Sequence, residues 1–181
     1  MNEYSDKELI EQFKSNSTEA FNSLVKQYQK RLYRHIRRML NDHDDTDDVL
    51  QNVFIKVWQG IKNFRSDSGL YTWLYRIATN ECHTFINQSK KKSLVRIDGD
   101  SAMELPGKSD NDYGLSGDEI QMKLNNAIQT LPEKQRLVFN MRYYEEMKYE
   151  EMARILKTSE GALKASFHHA VKKIEKYITG N

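Results

Sequence analysis

The chain of 181 residues contains one cysteine, two prolines and eight glycines. A single cysteine, Cys82, excludes a disulfide scaffold and a cysteine-built metal site. So few prolines and glycines argue against a turn-rich sandwich or barrel. No apolar run reaches the ~18 residues that a bilayer span needs. Met1–Asp6 is polar where a secretory leader would carry an apolar core. No membrane insertion is expected, and a cytoplasmic location with the lone thiol reduced is. Catalytic arrangements are missing too: there is no Ser/His/Asp order, glycine-rich phosphate loop or paired-carboxylate setting. Cys82-His83 has no further ligands at metal spacing, and His168-His169 would diverge by about 100° on a helix. The expectation is therefore no enzyme, no metal and no cofactor.

What is present is charge. Charged residues make up 30% of the chain against 38% hydrophobic, and the mean hydropathy is −0.81. Two small domains, each with much surface for its volume, account for this better than one large core. The net charge of +2 is unevenly spread. Residues 1–97 carry a net +4, residues 98–118 a net −5 and residues 119–181 a net +3. Two mildly basic bodies flank an acidic strip, a distribution suited to polyanion surfaces on both bodies. The strip 98–118 also holds four of the eight glycines and Pro106, without apolar periodicity. It reads as a flexible linker extended by its own repulsion. The predicted class is all-α: two small helical domains, 1–97 and 119–181, joined by the acidic linker 98–118.

Apolar residues recur at helical steps on both sides of the linker. Asp6 is the expected cap of a short helix carrying Leu9, Ile10 and Phe13, and Ser17 that of a long one with Phe21, Leu24, Tyr28, Leu32, Ile36 and Met39. After a polar break at Asn41–Asp45, a third helix has Leu50, Val53, Phe54, Val57, Trp58 and Ile61 on one stripe. A loop at Phe64–Gly69 precedes a fourth helix, predicted over 70–88, which buries Leu70, Leu74, Ile77, Ala78 and Phe85 and ends at Lys90, Lys91 and Lys92. Beyond the linker, Ile120, Leu124, Ala127, Ile128 and Leu131 mark one helix. Pro132 suits the first turn of the next, which carries Leu137, Val138 and Met141. A short helix over 149–156, with Met152, Ala153 and Leu156 inward, turns at Lys157-Thr158. Ser159 then caps a last helix that buries Leu163, Phe167, Ala170, Val171, Ile174 and Ile178.

Three constellations carry possible chemistry. The last two helices have the form of a helix-turn-helix, whose second helix enters the major groove. Lys164, His168 and Lys172 follow at i+4 steps, with Ala165 and His169 beside them, and lysine and histidine can bond base edges or phosphates. A solvated basic face on a packing helix is the alternative. The second constellation is Tyr71-Thr72-Trp73-Leu74-Tyr75-Arg76-Ile77, in which Trp73, Arg76 and Asn80 share one flank and Tyr75 lies on the other. Aromatic faces beside cations suit unstacked bases, at about 1–3 kcal/mol per stacked base. The third is the segment Asp47–Trp58, whose acidic helix start is either good capping or a docking face for a basic partner.

These segments, in this order, resemble the extracytoplasmic-function group of bacterial RNA polymerase sigma factors. Thr46–Trp58 (TDDVLQNVFIKVW) is similar to the family's polymerase-docking segment. Phe64–Ala78 (FRSDSGLYTWLYRIA) resembles the segment that meets the minus-ten promoter element. Leu131–Tyr144 and Lys148–Ile174 resemble the domain that reads the minus-thirty-five element. The resemblance implies a protein that binds core RNA polymerase, directs it to promoters and helps melt the minus-ten region. By resemblance, Asp47, Asp48, Gln51 and Phe54 would meet polymerase. Phe64, Arg65, Trp73, Tyr75, Arg76 and Asn80 would hold the melted non-template strand, with Lys90, Lys91 and Lys92 on phosphate. Lys164, Ala165, His168, His169 and Lys172 would face minus-thirty-five duplex. The partners so implied are core polymerase and promoter DNA, and an anti-sigma factor as in many relatives, although no residue here points to one. The chain departs from the family pattern at Ala162, Ala165 and Ser166, and Lys157 stands where the turn often has glycine. A helix-turn-helix regulator that binds duplex DNA without polymerase is the competing reading.

Overall fold

The computed structural model describes residues 5–14, 18–64, 69–97 and 119–180. Every regular element among them is helical. The chain divides into two compact units, Met1–Gly107 and Lys108–Asn181. That division falls inside the expected linker 98–118, which itself lies outside the described residues, as do Ser17 and the loop residues 65–68.

The first unit comprises α1 (Asp6–Lys14), α2 (Thr18–Leu40), α3 (His43–Gly60), a single 3₁₀ turn (Ile61–Asn63) and α4 (Leu70–Ile97). α2, α3 and α4 pack against one another, and α1 lies on α2. The core is the predicted periodicity made solid: Leu9, Leu24, Leu32, Ile36, Val53, Val57, Leu70, Leu74 and Ala78 are all buried. Truncating one such leucine to alanine costs about 2–5 kcal/mol.

Several expectations are corrected. Ser5, not Asp6, caps α1. Its hydroxyl accepts from the Glu8 N–H at 3.3 Å, and its own N–H donates to the Glu8 carboxylate at 2.7 Å. Asp6 is thereby left to accept from the Tyr28 hydroxyl at 2.5 Å. The break before α3 is only Asn41 and Asp42. Asn41 has φ 60°, a left-handed conformation that asparagine tolerates, and Asp42 caps the helix by accepting from the Asp45 N–H at 2.9 Å. α4 does not stop before the lysines but runs on to Ile97, so Lys90, Lys91 and Lys92 stand on the helix. Ile77 and Phe85 are half-buried rather than core.

The second unit holds α5 (Glu119–Gln129), α6 (Glu133–Tyr143), α7 (Tyr149–Leu156) and α8 (Glu160–Thr179). α8 is its spine, touching α5, α6 and α7. Ala127, Ile128, Leu131, Phe139, Ala170 and Ile174 form one buried cluster, with Leu124, Tyr144, Phe167 and Val171 against it. Pro132 sits one residue before α6, in the cap position rather than the first turn. Ile155, not Leu156, is the buried partner of Met152 on α7, and Ile178 is exposed, one turn beyond Ile174, the last buried residue of α8. The turn between α7 and α8 is made as expected. Lys157 adopts the left-handed conformation at φ 51°, and the Ser159 hydroxyl accepts from the Ala162 N–H at 3.2 Å.

One polar pair lies inside the first core. His35 on α2 is fully enclosed, and its Nε2 lies 3.0 Å from the Thr79 hydroxyl on α4. Burial, with Arg38 adding to it, holds its pKa down to about 4. The folded state therefore keeps it neutral while the unfolded chain takes up a proton below about pH 6.5. Stability of this unit should fall as pH drops from about 6.5 to 4, by up to about 3 kcal/mol. Both tryptophans, Trp58 and Trp73, report on this unit, so denaturant unfolding followed by their fluorescence measures it in the full chain. A His35→Gln variant should lose that slope, and an identical slope in both proteins would contradict the assignment.

Candidate polymerase and nucleic-acid interfaces

Three helix faces bear the residues expected to meet polymerase and DNA. On α3 the first is acidic and apolar together. The Thr46 hydroxyl donates to the Asp42 carbonyl at 2.5 Å and is buried, tying down the helix start. Asp47 and Asp48 are exposed, with Asp47 3.1 Å from the His43 ring. The Asp45 carboxyl is pushed up, first by burial and then by the charges of Asp42, Asp48 and Asp44. Gln51 is exposed and Phe54 half-buried, its ring edge-on to Phe21 at 6.3 Å. All four residues expected to meet polymerase thus share one arc of about 120° on the helix. The structure adds two that sequence reading did not place there. Ile55 is 48% exposed and Trp58 36%. Trp58 was expected in the core, but it sits at the margin of the buried stripe. Its ring lies edge-on to Phe13 at 5.7 Å and Phe21 at 5.0 Å while its outer edge meets solvent. Reading the outward i, i+3, i+4 series from Asp48 through Gln51 and Ile55 to Trp58 would have found both.

The second face lies on α4. Trp73 is half-buried between Phe64, whose ring centroid is 5.1 Å away, and Gly60, where an added Cβ would stand 3.1 Å from Trp73 Cζ2. Arg76 is half-buried and Asn80 exposed on the same flank. Because α4 continues, Lys91 falls five full turns, about 27 Å, beyond Trp73 on that flank. Lys90 and Lys92 are also exposed but diverge to either side. Tyr75 does not belong to this face. It is fully buried, 4.9 Å from the His35 ring and 4.4 Å from Tyr71, and offers no surface to a strand. Its two neighbours on α4 and α2 close over it, which the flank geometry of one helix could not reveal. Arg65 lies outside the described residues. Lys56 of α3 and Glu81 of α4 pair at 2.5 Å beside the flank.

The third face is the outer side of α8. Lys164, Ala165, His168, His169 and Lys172 are all exposed and occupy one arc of about 140°. Lys164 lies 3.5 Å from Glu160 and 5.6 Å from the Tyr149 ring. Arg142 covers the same ring at 5.3 Å and donates to the Met147 carbonyl at 3.1 Å. Tyr149, the first residue of α7, therefore braces the lysine that begins the basic face. Nothing in the periodicity of α7 singled it out, because the contact crosses the turn.

These faces have counterparts in known proteins. The Sigma-70 region 2 family matches residues 24–92, and the family described as Sigma-70, region 4 matches residues 121–174. The RNA polymerase sigma-H factor of Pseudomonas aeruginosa is 31% identical, over 96% of this chain and 93% of its own length. This chain belongs to the ECF group of RNA polymerase sigma factors. The ECF RNA polymerase sigma-E factor of Escherichia coli is similar at 28% identity over 96% of this chain and 94% of that protein. The fold also resembles that of CnrH, solved in complex with the cytosolic domain of CnrY, with TM-score 0.70, 21% identity and coverage of 97% and 98% of the two chains. The sigma factor RpoE of Bartonella quintana, solved with the anti-sigma factor NepR, gives TM-score 0.70 at 22% identity over 88% of this chain and 96% of that one. α3 and the flank of Trp73, Arg76 and Asn80 on α4 thus lie in region 2, and the helix-turn-helix lies in region 4. Among the described residues, no helix is long and apolar enough to cross a membrane.

The seat of Trp73 in this sigma factor is testable through Gly60. Replacing Gly60 with leucine should push the indole outward and shift the tryptophan emission to longer wavelength. Gly60→Ala should need only a displacement of a few tenths of an ångström and leave the emission nearly unchanged. Equal spectra for native and leucine proteins would show that the ring does not rest on Gly60.

Proposed function

We propose that this sigma factor assigns one task to each of these three faces and performs no chemistry itself. The stripe Asp48, Gln51, Ile55 and Trp58, with Asp47 and Phe54 beside it, docks the chain on core RNA polymerase. The α4 flank of Trp73, Arg76 and Asn80, with Phe64 and Arg65 at its start, holds the melted non-template strand of the minus-ten element, and Lys90–Lys92 meet its phosphates. The strand's base edges are hidden in duplex, so reading them requires unstacked bases, and an indole beside a guanidinium receives such bases well. α8 enters the major groove of the minus-thirty-five duplex with Lys164, His168, His169 and Lys172, while Ala165 allows close approach. The linker 98–118, between domains 1–97 and 119–181, connects the two readers and carries enough negative charge to occupy a cationic channel until RNA displaces it. Its acting place is the cytoplasm, on the nucleoid when bound to polymerase. An anti-sigma factor belongs among its partners, and the support is a fold neighbour solved with one.

The observation that carries this reading is the division of α4. One side, Leu70, Leu74, Tyr75 and Ala78, is sealed in the core, while Trp73, Arg76, Asn80 and Lys91 line up outside it. A duplex-binding regulator has no use for such a flank in the domain that does not carry its helix-turn-helix.

Run-off transcription tests the reading directly. The chain with core polymerase should start transcripts at defined promoters, whereas neither alone should. Asp48→Lys should weaken assembly with core by about tenfold or more, since a like charge then faces a basic partner. Its unfolding midpoint should not change, because Asp48 is exposed. Unimpaired assembly would remove Asp48 from the docking face, and promoter-specific binding by the chain alone would favour the regulator.

A further inference from the structure

α2 carries charge of one sign. Its only acidic residue is Glu19, in its first turn, and after that come Lys26, Lys30, Arg31, Arg34, Arg37 and Arg38. At 100° per residue all six fall within an arc of about 140°, adjoining the stripe of Leu24, Tyr28, Leu32 and Ile36 that faces the core. Lys26, Lys30, Arg34 and Arg38 follow at unbroken i+4 steps. Lys26, Lys30, Arg31 and Arg34 are exposed, Arg38 is half-buried and Arg37 is buried. Like charges at this spacing repel, at about 0.2–0.5 kcal/mol per pair. The helix dipole offsets that cost only within the last turn, which explains Arg37 and Arg38 but not Lys26, Lys30 and Arg34. A lone helix gains nothing from this ladder. A polyanion laid along it does.

The ladder is also joined to the strand-facing segment. The guanidinium of Arg31 lies 5.3 Å over the ring of Tyr71, in the first turn of α4 and two residues before Trp73. From Lys26 to Arg38 the rise is about 18 Å, and one strand of B-form duplex passes about five phosphates over that distance. We infer that the basic stripe of α2 is a second DNA site in the region 2 unit, binding the backbone of promoter duplex that adjoins the melted minus-ten strand. It reads no bases. It supplies affinity, and it places the duplex so that the strand leaving it starts at Tyr71 and Trp73. This inference rests on the proposed function above, because it takes promoter DNA as the polyanion.

The test uses the holoenzyme, assembled from the full chain and core polymerase, on a promoter duplex at salt concentrations from 50 to 200 mM. The triple variant Lys26→Gln, Lys30→Gln, Arg34→Gln removes only exposed like charges, so it should fold. Three lost duplex phosphate contacts should make the log–log salt dependence shallower by about 2–3. Over that fourfold salt range, the native complex should then lose roughly 40-fold more affinity than the variant. Assembly with core should be unchanged, because none of the three lies on the α3 stripe. An unchanged salt slope, with native holoenzyme initiating normally, overturns the inference and leaves the proposed function standing. Weakened core assembly with an unchanged slope overturns it as well, giving this face to a protein. A native chain that does not support initiation at all removes the reading on which it rests.

Discussion

The rotational setting of α4 against α2 is the constraint on which the first unit depends. Leu70, Leu74, Tyr75, Ala78 and Cys82 are sealed, and the pair of His35 and Thr79 sits among them. A hydrogen bond inside an apolar core is directional where hydrophobic contacts are not, so it sets register as well as stability. Turning α4 by one residue, about 100°, would drive Arg76 and Asn80 inward and leave buried polar groups without partners. The exposed flank of Trp73, Arg76 and Asn80 is thus defined by what the other side of the helix must bury. The neutral His35 belongs to the same device, because a charged imidazole there would cost the core its fit.

α3 obeys the same logic with a softer boundary. Val49, Leu50, Val53 and Val57 face inward, while Trp58 and Phe54 form its edge with Phe13 and Phe21. Aromatic rings at such an edge serve both environments: one side is packed, and the other is ready to be covered by a partner. An acidic first turn, stabilised by the helix dipole and capped by Asp42, then gives the same face its charge. In the second unit, Tyr149 plays the corresponding part by holding Lys164 from across the turn.

Much of this was legible in the residues. Among the described residues, helical periods located all eight α-helices, the bounds of α7 and the cap at Ser159, because caps and apolar stripes are local chemistry. The flank of Trp73, Arg76 and Asn80 and the basic outer side of α8 were legible as well, since a flank is what remains when a stripe is assigned. The misplaced residues fail for one physical reason. Tyr75, Trp58 and Ile178 lie at stripe margins or beyond the last buried residue of a helix, where burial is decided by a neighbouring helix rather than by their own. The extension of α4 through Lys90–Lys92 defeats local reading differently. A lysine run looks like a terminus, yet lysine is a good helix former and nothing there breaks the helix. Ser5 over Asp6 was a choice between two good caps, settled by Glu8 completing the reciprocal pair with serine and by Tyr28 claiming the aspartate.

Each unit keeps one side for its own core and leaves another exposed. The division of faces within region 2 is most directly measured by photo-crosslinking, with a benzoylphenylalanine placed at Asn80 or at Gln51, both exposed, in holoenzyme on a promoter. The account predicts that the label at Asn80 reaches the non-template strand of the minus-ten element and that the label at Gln51 reaches a polymerase subunit and no DNA. DNA labelled from Gln51, or polymerase alone from Asn80, would contradict it.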